Sequence, residues 1–542
     1  MLTKGERRGR IGGGVLALAA ILVFVAAAVC ALVSWKGGAS DAPLFTAYTW
    51  SILRFTLWQA ALSTLLSVGL ALPVALALAR RAIFPGRIWI LRLMALPMGL
   101  PTLIGALGLI GIWGRQGVVN GLLMRLGLDQ PVSIYGLSGI LIAHVFFNLP
   151  LAARLLLAAI ERLPPEYWRL AAELGMRPFS VFRFIEWPAV KSVIPGVASL
   201  VFMLCATSFT LVLVLGGGPA ATTLEVAIYQ ALSFDFDPPR AIGLAGLQIA
   251  VTAAILGLLA LLPRPADGNA ASGRAARRLD GRRVTARLWD AVVIMIAGLF
   301  LVLPLGSVLV AGLKADLLKL LASPAFLNAA MTSLKISAMA GILTILLSLA
   351  LIRAAGALGD MKRPGIAAKG LTLLIGSSSS LVLLIPPVVL GTGWFLLLRP
   401  FGEVGRFAPL LVAMINVLMA LPFVMRVLSP AIESHRARTA RLATSLGISG
   451  FTRLRRIDLP VLARPLLTAL SFAMALSLGD LGAVALFGSN DLATLPWLIY
   501  SRLGSYRSND ADGLALLLAL ICLALAAIGT WGQRARREEL HD

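Results

Sequence analysis

Residues 169–188 read RLAAELGMRPFSVFRFIEWP, and residues 441–460 read RLATSLGISGFTRLRRIDLP. Both obey one pattern: Arg-Leu-Ala-x-x-Leu-Gly, nine residues, then Ile-x-x-Pro, with the copies 272 positions apart. Each copy lies in a polar, basic stretch between long apolar runs. The correspondence continues upstream at the same offset, where Pro150 answers to Pro422, Arg154 to Arg426 and Ile160-Glu161 to Ile432-Glu433. Further upstream the register drifts, but Pro101-x-x-x-Gly105 still has a counterpart in Pro387-x-x-x-Gly391. The chain is therefore a tandem repeat.

Composition fixes the class. Of 542 residues, 59% are hydrophobic and only 13% charged, and the mean hydropathy is +0.90. A soluble chain carries roughly a quarter charged residues, so this is a polytopic membrane protein. The net charge of +23 does not signal nucleic acid, because the basic residues sit in short loops between apolar runs, where they set orientation. Cys30, Cys205 and Cys522 are far apart inside apolar runs, with neither metal-ligand spacing nor a disulfide framework. Lys4, Arg7, Arg8 and Arg10 precede an apolar run over 11–33. Its length of roughly 23 residues suits a first membrane helix better than a signal peptide.

Runs long enough to span occur near 11–33, 50–79, 88–113, 134–157, 193–216 and 241–262. Six more occur near 289–312, 330–352, 371–398, 408–428, 465–488 and 513–532. The expected fold is an all-α polytopic membrane protein of 12 transmembrane helices as two parallel six-helix repeats. Residues 1–262 and 289–542 form the two domains, joined by a basic linker at 263–288 that holds Arg264, Arg274, Arg277, Arg278, Arg282, Arg283 and Arg287. Placing both termini in the cytoplasm puts most of the 48 basic residues inside. The repeated motif follows the fourth span of each half, so the halves are parallel repeats rather than inverted ones.

The motif loops then face the cytoplasm. Pro164-Pro165 favours a helix starting near Glu166, and Gly175 and Gly447 suit a helix C-terminus, where the left-handed conformation is easy for glycine. A second short helix is expected to stop before Pro188 or Pro460. A short amphipathic helix on a membrane protein's polar face can dock in a groove of a soluble partner, and two such loops call for a two-fold one. The loop resembles the coupling loop of importer-type ABC transporter permeases, Glu-Ala-Ala-x-x-x-Gly, nine residues, Ile-x-Leu-Pro. Ala171, Gly175, Ile185 and Pro188 fit it in the first copy; Ala443, Gly447, Ile457, Leu459 and Pro460 fit it in the second. Arg169 and Arg441 stand at the usual glutamate, Leu170 and Leu442 follow, and Trp187 replaces the usual leucine. The resemblance implies a bacterial inner-membrane permease docked to two copies of a cytoplasmic ATPase and supplied by a periplasmic binding protein.

The chain has no phosphate-binding Gly-x-x-x-x-Gly-Lys-Ser/Thr loop, and His144, His435 and His541 are scattered. We therefore expect no catalytic site, metal or cofactor, with ATP hydrolysis on a separate subunit. The stretch Ser477-Leu-Gly479-Asp480-Leu-Gly482, then Thr494-Leu-Pro496 and Gly504-Ser505-Tyr506-Arg507-Ser508, resembles permeases of bacterial importers for thiamine and its pyrophosphate. Fused ferric-iron permeases share the architecture. Asp480, Ser477, Asn148, Asn416 and Ser208 are the candidates for a translocation path, since polar groups inside a membrane commonly face a cavity or a partner helix. A competing resemblance, Gly356-x-x-Gly359-Asp360-x-Lys362-Arg363-x-Gly365, suggests a major-facilitator transporter. The corresponding loop at Arg80–Arg87 lacks the aspartate, and that reading leaves the repeated motif unexplained.

Overall fold

In lipid, long apolar stretches must satisfy every backbone N–H and C=O internally, and the helix does so within one segment. The computed structural model describes residues 4–35, 46–127, 129–260, 278, 284–361, 365–378, 385–402, 404–445, 450–488, 492–505 and 507–538, and no strand occurs among them. Eleven helices among these residues are long and apolar enough to cross a membrane. The elements that position the site are α1 (Lys4–Val33), α2 (Ala47–Arg80), α3 (Thr102–Trp113), α4 (Leu137–Glu161), α5 (Pro165–Glu173), α6 (Trp187–Ala206), α7 (Thr210–Leu215) and α8 (Pro238–Ala260). The second half supplies α9 (Val284–Lys314), α10 (Pro324–Gly359), α11 (Pro387–Leu398), α12 (Val404–Ser445), α13 (Leu459–Leu478), α14 (Gly482–Phe487) and α15 (Ser508–Glu538).

Prolines start helices within two runs expected as single spans. The run over 88–113 becomes Arg87–Leu93, Leu96–Gly99 and α3, with Pro97 and Pro101 at the restarts. In the run over 371–398 the described helices are Ile366–Ser378 and α11, which opens on Pro386-Pro387, and 379–384 lie outside the described residues. Proline lacks the N–H a continuing helix needs but fits a first turn. Most of the linker at 263–288 lies outside the described residues. Arg278 is described, and 284–288 already belong to α9.

Packing divides the chain into two compact units that do not follow the sequence halves. One comprises Met1–Asp41, Ile228–Ile249 and Ala315–Asp542; the other comprises Ala42–Ala227 and Ala250–Lys314. The first helix of each half is thus packed within the unit built mainly from the other half. In the second unit, a Cβ on Gly108 of α3 would collide with the Pro304 carbonyl of α9, and Ser307 Oγ donates to Gly108 O at 2.8 Å. In the first unit, a Cβ on Gly393 of α11 would collide with the backbone of Ala28 in α1. Beside it, Trp394 Nε1 donates to Phe24 O at 3.2 Å, and the two rings stack at 5.0 Å. Between membrane helices no hydrophobic gain separates protein from lipid contact, so backbone-to-backbone approach at small residues carries the association.

Candidate functional site

The first candidate coupling segment, the motif loop after α4, is built by its prolines. Proline disfavours the α conformation in the residue before it, so α4 ends at Glu161 and Pro165 starts α5. One face of α5 is buried through Trp168 and Ala171, three residues apart, while Arg169 points to solvent. Gly175 ends the segment at φ +60°. Met176 N donates to Ala171 O at 2.9 Å and Gly175 N to Ala172 O at 3.1 Å, the paired bonds of a left-handed glycine stop. Tyr167, Leu170, Leu174 and Phe179 are exposed on this polar end, as suits a surface covered by another protein.

Open space surrounds the missing Cβ of Gly175, so a substitution there acts through backbone conformation alone. Gly175→Val is expected to cost the turn about 1–2 kcal/mol without disturbing α4 or α6. If an ATPase docks on this segment, its co-purification with the variant should fall while membrane insertion, followed by expression level, is unchanged.

A residue from between the halves seals this segment. The Arg278 guanidinium lies 3.9 Å from the Trp168 ring centre and pairs with Glu186 Oε1 at 2.7 Å. Both charged side chains are almost fully buried, at 2% and 1% exposed. Composition alone reads Arg278 as one more solvated linker cation; nothing in the linear sequence marks it apart from its neighbours.

The second segment differs in a way its sequence explains. Arg436-Ala437 stands where the first copy has Pro164-Pro165, so α12 runs unbroken to Ser445 and carries Arg441 and Ala443. Gly447 lies outside the described residues. Downstream the copies agree again: a π-helical turn occupies Phe182–Glu186 and Leu454–Asp458, 272 residues apart. Ile185 and Ile457 sit in these turns, partly buried; Pro188 and Pro460 are exposed, each second in the next helix. The helical path therefore does not stop before these prolines as expected. The wider turn lets Trp187 N reach back to Phe182 O and leads directly into the proline-bearing first turn of α6. Asp458, at the position of Glu186, bonds His435 Nε2 at 2.8 Å and lies 3.6 Å from Arg453 Nε.

The fifth span of each half is interrupted at matching positions. Between α6 and α7 lie Thr207-Ser208-Phe209, and between α13 and α14 lie Gly479-Asp480-Leu481. Ser208 and Asp480 correspond at the 272-residue offset, and both are partly buried. Asp480 caps the helix that follows, Oδ1 accepting from Gly482 N at 3.0 Å and Oδ2 from Ala483 N at 3.2 Å. Hydrogen bonds from the fourth spans pin the turn before each interruption. Asn148 Nδ2 donates to Cys205 Sγ at 3.4 Å, and Asn416 Nδ2 donates to Ser477 Oγ at 2.8 Å. Asn148 is buried and engaged within one unit, and Asn416 and Ser477 are buried and engaged with each other within the other.

Sequence reading gave no path role to four residues beside Asn148: Ser63, His144, Gln59 and Cys205. Ser63 Oγ and His144 Nδ1 share a hydrogen bond of 2.8 Å, and Gln59 Nε2 donates to Cys205 O at 2.9 Å. For two of them the signal was the repeat itself, since His144 falls at the position of Asn416 and Cys205 at that of Ser477; for Ser63 and Gln59 the repeat offers none.

Residues 69–263 and 369–535 match the family described as binding-protein-dependent transport system inner membrane component. The chain belongs to that family: it is a multi-pass membrane permease, which is a transporter and not an enzyme, with the family domain present twice. Its relatives include the "Thiamine transport system permease protein ThiP" of Brucella abortus (strain 2308), 48% identical over 527 residues, covering 97% of this chain and 96% of that protein. The protein of the same name from Escherichia coli (strain K12) is 44% identical over 94% of both chains. That from Haemophilus influenzae is 35% identical over 95% of both.

Proposed function

We propose that this chain forms the membrane path of an ATP-driven importer that carries thiamine and its phosphates across the bacterial inner membrane. Near-full-length identity of 48% to a permease named for thiamine transport carries the reading. Both termini lie in the cytoplasm. Two copies of a cytoplasmic ATPase dock on the segments bearing Arg169, Ala171, Gly175, Ile185 and Pro188, and Arg441, Ala443, Gly447, Ile457 and Pro460. A periplasmic binding protein delivers substrate, and ATP hydrolysis resides wholly in the separate ATPase. The interruptions at Ser208 and Asp480 line the path, where unwound backbone offers polar groups that continuous helices do not. Asn148, Asn416 and Ser477 hold those interruptions in place.

Thiamine bears a fixed cationic thiazolium ring, so a carboxylate at Asp480 lowers the cost of its passage by roughly 2 kcal/mol at ~8 Å and an effective dielectric near 20. Thiamine pyrophosphate gains less, because its own phosphates oppose the carboxylate. Asp480→Asn keeps an oxygen able to cap Gly482 N, so folding is largely retained. Uptake of radiolabelled thiamine should slow by about tenfold or more, and uptake of the pyrophosphate should slow less. Equal loss for both substrates at normal expression would reduce Asp480 to a helix cap.

A further inference from the structure

The two units meet one electrostatic problem in different ways. Where α2 ends, Arg80 and Arg81 converge on Asp290 of α9, at 2.8 and 3.0 Å, and the Asp290 side chain is 1% exposed. In the other unit α10 takes the place of α2, and α1 takes the place of α9. On α1 it is Gly14 that packs against α10, at Ala354, and α1 carries no aspartate. The carboxylate is missing there, and α1 brings Arg10 to this end while α10 brings Arg353.

Between them lies a cavity of about 610 Å³. Arg10, Arg353, Arg436 and Arg453 line it, against the carboxylates of Glu6 and Asp458. Asp458 is already engaged by His435 and Arg453, and Arg436 pairs with Asp360 outside the cavity lining. Among the described residues, no carboxylate lies within ion-pair distance of Arg10 or Arg353. Apart from His435, the remaining wall is apolar and includes Leu346 and Leu349 of the membrane-crossing α10.

We propose that this cavity holds the phosphate head group of an anionic phospholipid, with Arg10 and Arg353 as its ligands and its acyl chains leaving along Leu346 and Leu349. The phosphate supplies the negative charge that Asp290 supplies in the other unit, and basic pockets among membrane helices are suited to such head groups. The apolar wall favours a lipid over a soluble phosphate. The site does not depend on the transport reading, because it stands at one end of the spanning helices whichever substrate they pass.

The test is native mass spectrometry of the full chain, delipidated in detergent and titrated with phosphatidylglycerol, phosphatidylcholine or glycerol 3-phosphate. One tightly held phosphatidylglycerol is expected, with phosphatidylcholine and glycerol 3-phosphate far weaker. Arg10→Gln with Arg353→Gln should weaken phosphatidylglycerol by roughly tenfold, whereas Arg399→Gln, the same charge change on an exposed residue outside the cavity, should leave it unchanged. If the double variant does not insert, Arg10→Glu serves in its place. It replaces one ligand by a carboxylate facing Arg353 and Arg453, and should abolish the bound lipid while raising the melting temperature in lipid-free detergent. Undiminished lipid binding in either variant overturns the site, and equal binding of glycerol 3-phosphate overturns the lipid.

Discussion

Asp290→Ala is expected to destabilise the chain by about 3–5 kcal/mol, the usual consequence of removing one partner from a buried ion cluster. Arg80 and Arg81 would lose the carboxylate they share, and their side chains, 13% and 24% exposed, could reach water only by leaving α9. The lower end of the range applies if both stems can extend toward solvent. The loss falls on a contact that holds the first helix of the second half against the second helix of the first half. Thermal unfolding of the detergent-purified variant should therefore show an early transition, accompanied by proteolysis near the start of α9. An unchanged melting temperature and an unchanged cleavage pattern would deny Asp290 its part in holding the exchanged helix.

Arg278→Ala is the second large effect, again about 3–5 kcal/mol for removing one partner of a buried ion pair, here felt locally. Glu186 is 1% exposed and would be left buried beside Trp168, which would also lose its cationic stacking partner. The coupling segment would loosen while the membrane helices stay packed. Hydrogen exchange of the peptide spanning Trp168 to Glu186 should rise by orders of magnitude, and stimulation of the ATPase by substrate-loaded binding protein should fall. Glu186→Gln with Arg278→Met, which removes both charges together, should recover much of the protection, since replacing a buried pair by neutral groups of similar volume is far milder than orphaning one partner. Exchange unchanged in the single variant would show that the linker arginine is incidental.

Hydropathy and the 272-residue repeat made the class legible: apolar runs in two sets of six, and a motif at the same place in each. Other features followed from chemistry that hydropathy does not register. Which helices pack together is one, because Gly393 against Ala28 and Gly108 against Pro304 are backbone contacts between segments equally apolar on every side. The interruptions at Thr207-Ser208-Phe209 and Gly479-Asp480-Leu481 are another, lying in runs apolar enough to read as unbroken. The unequal coupling segments were readable in principle, since Pro164-Pro165 against Arg436-Ala437 decides whether the helix stops. Asn148 and Asn416 looked like equivalent polar residues, but the offset aligns Asn416 with His144, and only the fold brings Asn148 to Cys205. Arg278 is the clearest limit: its burial depends on a Trp and a Glu more than ninety positions away.

The central claim is that this chain moves thiamine only as part of an ATP-driven assembly. The most direct measurement is thiamine uptake into proteoliposomes containing the purified chain, with its ATPase and binding protein added or withheld. The account predicts uptake only when both partners and ATP are present, unaffected when an ionophore collapses the proton gradient. Uptake by the chain alone, driven by an ion gradient and indifferent to ATP, would contradict it.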